Sequence, residues 1–198
     1  MIPTTSLIHW QTAIGRRYRP LTHALGAIAE RLHMDVSTRI GRHPKIYFRA
    51  PYESGAGAMR IKVEINTHER SPAVEPRRIE YQLASPWFTG SASVLTFQPE
   101  ELVATKLRAL FQRSKGRDLF DLWLALTELE LDPETILARF APYRPDGYTA
   151  ARAIQNLNDK LADPLFRHDL GPLLRSAATG YDIDHAASLV ITCLLRRL

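Results

Sequence analysis

The hydrophobic pattern changes period near residue 98, and that change bounds the fold. Before it, apolar residues alternate. "MRIKVEIN" (59–66) puts Ile61, Val63 and Ile65 on one face and Arg60, Lys62, Glu64 and Asn66 on the other, as a strand with two unlike sides does. "KIYFRAPY" (45–52) aligns Ile46, Phe48 and Ala50 in the same way. "RIEYQLAS" (78–85) predicts a third strand with Ile79, Tyr81 and Leu83 inward, and "SVLTF" (93–97) a short fourth. "ESGAGA", between the first two, reads as a hairpin connection. It lacks the lysine and the following helix that a phosphate loop needs.

After Pro99 the spacing becomes helical, with Glu100 and Glu101 in the first turn where the helix dipole favours them. Helices are expected at roughly 99–113, 117–130, 133–140, 148–162 and 184–197, with turns at 114–116, 142–147, 163–164 and 180. One helix precedes the strands. In "LTHALGAIAERLHM" (21–34), which follows Pro20, Leu21, Leu25, Ile28 and Leu32 form an apolar stripe. Strands first and helices afterwards describe an α+β chain. We expect an α/β domain over 1–97 and a helical domain over 98–198.

A length of 198 residues is enough for a substantial core. The net charge of +5 suits a polyanionic partner without requiring one. The single cysteine, Cys193, lies in the apolar run "SLVITCLL". It has no internal disulfide partner and reads as a buried core thiol, which points to the cytoplasm. No secretion signal is visible, and no apolar run is long enough to cross a bilayer. His23 and His33 lie off the helical stripe without ligand spacing, so a metal role is not expected of them.

The chemistry concentrates in "TKLRALFQRSKGRDLFDL" (105–122). Leu102, Leu107, Leu110 and Phe111 form the core side of one helix, and Leu119, Leu122, Trp123 and Leu126 that of the next. Lys106 shares a side with Leu102 and Leu110, so its stem lies along apolar surface with the ammonium at the rim. Asp118 is either an N-cap or part of a charged site, and Asp121, one turn on, can pair with Arg117 or Lys106. Strand 59–66 offers Lys62, Glu64 and Asn66 in steps of about 7 Å. That row is either a solvated face, or a cleft face where Glu64 could bind a divalent cation and Lys62 a phosphate.

Together "MRIKVEIN" (59–66), "FQPEELVATKLRAL" (97–110) and "RSKGRDLFDLW" (113–123) resemble the AbiEii/AbiGii toxin family of nucleotidyltransferase-like proteins. The resemblance runs over about 21–140. It implies a partial nucleotidyltransferase-type mixed sheet followed by a helical C-terminal half. It also implies nucleotide transfer from an NTP, in some members to tRNA ends, and a toxin beside a cognate antitoxin. By position Glu64 matches the third, sheet-borne acidic residue and metal ligand. Lys106 matches the phosphate-contacting lysine and Asp118 the acidic residue of the second helical motif. Arg117 and Asp121 match supporting neighbours, and Lys62, Arg113 and Lys115 join them on the nucleotide-binding side.

One part of the family pattern is missing. Members carry a Gly-rich stretch, then Ser or Thr, then an Asp-x-Asp that holds Mg²⁺ at the triphosphate. Here "MIPTTSLIHWQTAIGRRYRP" has no aspartate. The Asp-x-Asp at Asp182-Ile183-Asp184 stands just before the last helix, where it reads as an N-cap. The resemblance therefore implies a toxin homologue whose transfer to RNA or protein is absent or impaired and whose hold on Mg²⁺ is weak. The other class of reading is a non-catalytic protein that keeps the fold and binds nucleic acid or an antitoxin.

Overall fold

A computed structural model describes residues 19–39, 44–65, 72–86, 89–173 and 180–198. The chain divides into two compact units, 1–71 and 72–198.

In the first unit, helix α1 (19–31) precedes strands β1 (Asp35–Arg39), β2 (Lys45–Pro51) and β3 (Ala58–Glu64). They form an antiparallel sheet in the order β1-β2-β3. Ile46 lies opposite both Thr38 and Val63, and Phe48 opposite Val36 and Ile61. The apolar face this creates meets α1: Ala29, Ile46 and Phe48 are buried, with Leu25, Met34, Val63 and Ile65 packed against them. The α1 stripe expected from the sequence is not the buried line. Leu21, Ile28 and Leu32 are exposed, and the contact runs through Leu25 and Ala29 instead. Ala29 is small enough to bring the helix close to the sheet, and a narrow three-stranded sheet covers only one i, i+4 row. Ile61 is also left exposed.

The β2–β3 hairpin is closed by Tyr52, whose carbonyl accepts from Gly55 N at 2.9 Å and whose N–H donates to Gly57 O at 3.1 Å. Gly55 and Gly57 have φ of +71° and +116°. Those conformations favour glycine, and they account for the "SGAG" text. Strand β1, "DVSTR", carries too few apolar residues to show a period, and the sequence reading leaves it out.

The second unit opens with the hairpin β4 (Arg77–Ala84) and β5 (Thr89–Thr96). Ile79 faces Val94 and Tyr81 faces Ala92 across it. Ile79, Tyr81 and Leu83 share a face as expected but are exposed, not inward. Alternation tells which residues share a side; it does not supply a second layer to cover them. The described strands pair only antiparallel, in two sheets, because short hairpin connections join neighbours.

The remaining helices are α2 (Pro99–Gln112), α3 (Gly116–Thr127), α4 (Pro133–Phe140), α5 (Ala150–Leu161), α6 (Pro164–His168) and α7 (Ile183–Cys193). Their core holds Leu107, Leu119, Leu122, Ile136, Phe140, Leu157, Phe166, Val190 and Leu194. Leu102, expected in that core, is exposed, and Cys193 is half-buried at its edge. Side-chain caps set several starts. Asp132 accepts from Glu134 N and Thr135 N, Thr149 from Arg152 N, Asp163 from Leu165 N and Asp182 from His185 N. The expected turn at 163–164 is thus also the capped start of α6. The Asp-x-Asp motif is accounted for: Asp182 caps α7, and Asp184 takes a bidentate fork from Arg167 at 2.9 and 2.6 Å. No described helix is long and apolar enough to cross a membrane.

Candidate functional site

The turn between α2 and α3 is built around Gly116. A Cβ there would lie 2.2 Å from the Phe166 carbonyl oxygen, so only glycine lets the start of α3 rest on the α6 backbone. Arg113 and Lys115 on either side of the turn are extended, and Lys115, the N-cap of α3, makes no side-chain cap hydrogen bond.

Asp118 follows in the first turn of α3 and is fully buried. It is not the N-cap; Lys115 occupies that position. Its carboxylate accepts a planar fork from Arg113, Nε to Oδ2 and Nη2 to Oδ1, both at 2.6 Å. The pair raises the pKa of the Arg113 guanidinium through this hydrogen bond. Lys106 reaches in from α2, its Nζ 2.7 Å from Asp121 Oδ2 and 3.9 Å from Asp118 Oδ1. Of the two partners open to Asp121, it takes Lys106. Asp118 and Asp121 stand three apart, so one helical face presents both to the same ammonium. Lys106 remains 40% exposed, a cation steered by carboxylates yet still open to solvent.

Asp169 completes the turn. It accepts from Arg117 N at 3.3 Å and pairs with Lys115 Nζ at 3.5 Å. The Arg117 guanidinium makes no ion pair with another described residue. Lys160, on α5, donates to Phe111 O at 3.1 Å and Asn156 Oδ1 at 2.6 Å, and also to Leu110 O. It thereby satisfies carbonyls at the end of α2. Burial pulls its pKa down, against the opposing pull of Asp118.

At the other end of α2, Glu101 is fully buried. It accepts from Ala73 N at 2.5 Å, Val74 N at 3.3 Å and the Tyr143 hydroxyl. Burial first, and Glu101 second, push the Tyr143 pKa up. Glu101 therefore ties the chain before β4 and the turn after α4 to α2. Its sequence position suggested only a dipole contribution.

Within the first unit, Glu64 sits between two lysines. Lys62 Nζ is 2.7 Å from Oε2 and Lys45 Nζ 3.1 Å from Oε1. Hydrogen bonds from Lys62 and then Lys45 hold the Glu64 carboxyl below the usual carboxylate range, and Glu64 raises Lys62 in return. Lys45 and Glu64 are cross-strand partners, as are Tyr47 and Lys62. Arg39 and Arg60 lie over the Tyr47 ring, at 5.8 and 5.3 Å from its centroid. A depression of about 610 Å³ on this face is lined by residues including Asp35, Ser37, Arg39, Tyr47, Arg49 and Arg60. Asn66 lies outside the described residues.

The structure thus joins Lys106, Arg113, Asp118 and Asp121 in one ion-pair network, holds Lys115 and the Arg117 backbone on Asp169 beside it, and joins Lys62 to Glu64. Sequence reasoning missed Asp169 and Lys45. Asp169 lies about fifty residues beyond the turn it holds, and only a cross-strand register brings Lys45 opposite Glu64. Among the described residues no group of three or more His, Cys, Asp or Glu is placed to hold a metal ion.

The family profile described as "Nucleotidyl transferase AbiEii toxin, Type IV TA system" matches residues 6–188. A solved structure, the crystal structure of JHP933 from Helicobacter pylori, aligns with 16% identity and a TM-score of 0.44, over 81% of this chain and 60% of that one. The chain therefore spans 60% of the length of that protein. No curated protein matches.

Proposed function

The chain belongs to the AbiEii nucleotidyl transferase toxin family of type IV toxin–antitoxin systems, and we propose from that premise that it carries the lysine-bearing part of a nucleotide site but transfers no nucleotide by itself. The family implies a cognate antitoxin.

The observation that carries this reading is the contrast in how Lys106 and Glu64 are held. Lys106 is half-exposed and aimed by two carboxylates, an arrangement that suits an ammonium meeting the phosphates of an NTP. Arg117 adds a second cation at the start of α3. Asp118 is a positioning residue. Buried and forked by Arg113, it stands 3.9 Å from the Lys106 ammonium and helps to orient it.

The fold family also implies Mg²⁺. Among the described residues, the carboxylates matched to the family site do not fit it. Mg²⁺ takes hard oxygen ligands in near-octahedral geometry. Glu64 offers one carboxylate already shared by two ammonium groups, which would repel a dication. Asp118 and Asp121 are committed to Arg113 and Lys106. Without a metal clamp, transfer loses both charge neutralisation and positioning, each commonly worth several kcal/mol of barrier.

The test is to incubate the purified chain with Mg²⁺, each labelled NTP and total tRNA, beside a Glu64→Ala control. Incorporation at background is expected. Incorporation that disappears in the control would overturn the proposal and assign Glu64 a direct role.

A further inference from the structure

We propose that the open face of the β1–β2–β3 sheet binds single-stranded nucleic acid, with Tyr47 as the stacking platform and Arg39, Arg49 and Arg60 as the phosphate contacts. This goes beyond the reading above and does not depend on any transfer chemistry.

The sheet register builds the face. Counting alternate positions from the cross-strand pairs, Asp35, Ser37 and Arg39 on β1 lie beside Arg49, Tyr47 and Lys45 on β2. These in turn lie beside Arg60, Lys62 and Glu64 on β3. The opposite face carries Ile46 and Phe48 and is taken up by α1. The open face therefore holds five cations and two carboxylates. Glu64 is already shared by Lys45 and Lys62, which localises that charge at one end. At the other end Arg49 and Arg60 stand beside Asp35, while Arg39, in the Lys45–Glu64 row, has its guanidinium over the Tyr47 ring. All three line the depression, and none makes an ion pair with another described residue.

The aromatic residue decides the class of partner. An acidic protein segment would need the cations alone. Tyr47 stands on the central strand with guanidinium groups 5.8 and 5.3 Å from its ring centroid. Arginine planes and a tyrosine ring together form a surface on which bases stack whatever their identity. Arg39, Arg49 and Arg60 stand on three neighbouring strands around Tyr47, so they offer charge across the sheet as well as along it, as a backbone crossing the strands would need. A duplex hides its base faces and would use only the charge.

The experiment is fluorescence anisotropy of the full chain with labelled oligouridylate and with a DNA oligothymidylate of equal length, at low and moderate salt. Sodium polyglutamate serves as a polyanion without bases. Binding of both oligonucleotides is expected, weakening with salt. Arg39→Ala with Arg60→Ala should weaken it at least tenfold and flatten the salt dependence by about two in slope. Tyr47→Ala should weaken it between about fivefold and a hundredfold. Tyr47→Phe, which keeps the ring and the packing, should bind as the wild type does, and so should Arg31→Ala on the exposed side of α1. Circular dichroism checks that each variant is folded. Should Tyr47→Phe bind as poorly as Tyr47→Ala, stacking is not the mechanism. Unchanged affinity in the double arginine variant, or polyglutamate competing as well as the oligonucleotides, would overturn the proposal, the latter in favour of an acidic protein partner. NTP titration of the double arginine variant separates this surface from the Lys106 site: loss of oligonucleotide with NTP attraction retained is expected.

Discussion

Two clusters in this protein use the same residue types to opposite ends. On the sheet, two lysines surround one carboxylate, and all three side chains are open to water. In the α2–α3 turn, carboxylates surround one lysine, and the central carboxylate is fully buried. The first arrangement forms at little cost and can be remade by solvent or a ligand. The second is fixed by burial, by a two-bond fork and by a glycine that lets a third backbone segment close in. Charge sequence alone does not separate them. What separates them is how much water each carboxylate loses, because the strength of an ion pair and the cost of breaking it both rise as water leaves.

The sharpest way to break the comparison is to remove one partner on each side. Arg113→Ala leaves the Asp118 carboxylate buried, with Lys106 at 3.9 Å as its remaining ion-pair partner. Stranding a buried charge in this way costs about 3 kcal/mol. Asp118→Asn should cost less, because the guanidinium left behind is half-exposed and can rehydrate. Denaturant unfolding of the two variants checks the order; equal losses would mean the carboxylate is wetter than its burial indicates. Gly116→Ala comes next. Alanine normally favours a helix over glycine by about 1 kcal/mol, but here its Cβ would meet the Phe166 carbonyl at 2.2 Å. Overpacking against backbone should reverse the sign and destabilise by about 2 kcal/mol. A gain in stability would show that α6 moves aside freely.

A smaller effect is expected at Lys106. Lys106→Ala should reduce NTP attraction at low salt several-fold and leave the melting transition almost in place, since half-exposed pairs contribute little. Equal, tight NTP affinity at low and high salt in the wild type would contradict the electrostatic origin.

The α+β class, the hairpin "ESGAGA" and most of the later helices were legible, because period and turn chemistry are local. The residues of "RSKGRDLFDL" were legible as a charged cluster, but not their pairing. Asp118 looks like an N-cap from its distance to the turn; only the fold shows Arg113 covering it and Gly116 on the Phe166 carbonyl. Ile79, Tyr81 and Leu83 show the limit in the other direction. Their alternation is real, yet a two-stranded hairpin has no layer of its own to bury them. Lys45 and Tyr47, central to the sheet face, gave no signal, since their importance comes from partners on other strands.

The gentlest measurement bears most directly on the sheet cluster. Glu64 is held below the usual carboxylate range by Lys62 first and Lys45 second. A carboxyl whose folded pKa is depressed adds stability above its unfolded pKa and loses it as the pH falls through the folded value. The contribution is therefore complete near neutrality and fades on acidification from the range where free glutamate titrates down through the depressed folded value. Because the group is solvent-exposed, this titration should appear in its own NMR chemical shift and hardly at all in the melting curve. Lys62→Ala removes the stronger partner and should move the Glu64 midpoint upward; Lys45→Ala should move it less. Added salt should move it the same way in the wild type, because screening weakens exposed pairs. A Glu64 midpoint indifferent to both lysines and to salt would mean that the carboxylate stands apart from them. The argument that two ammonium groups keep a dication away would then fail, while the buried network around Asp118 would stand unchanged.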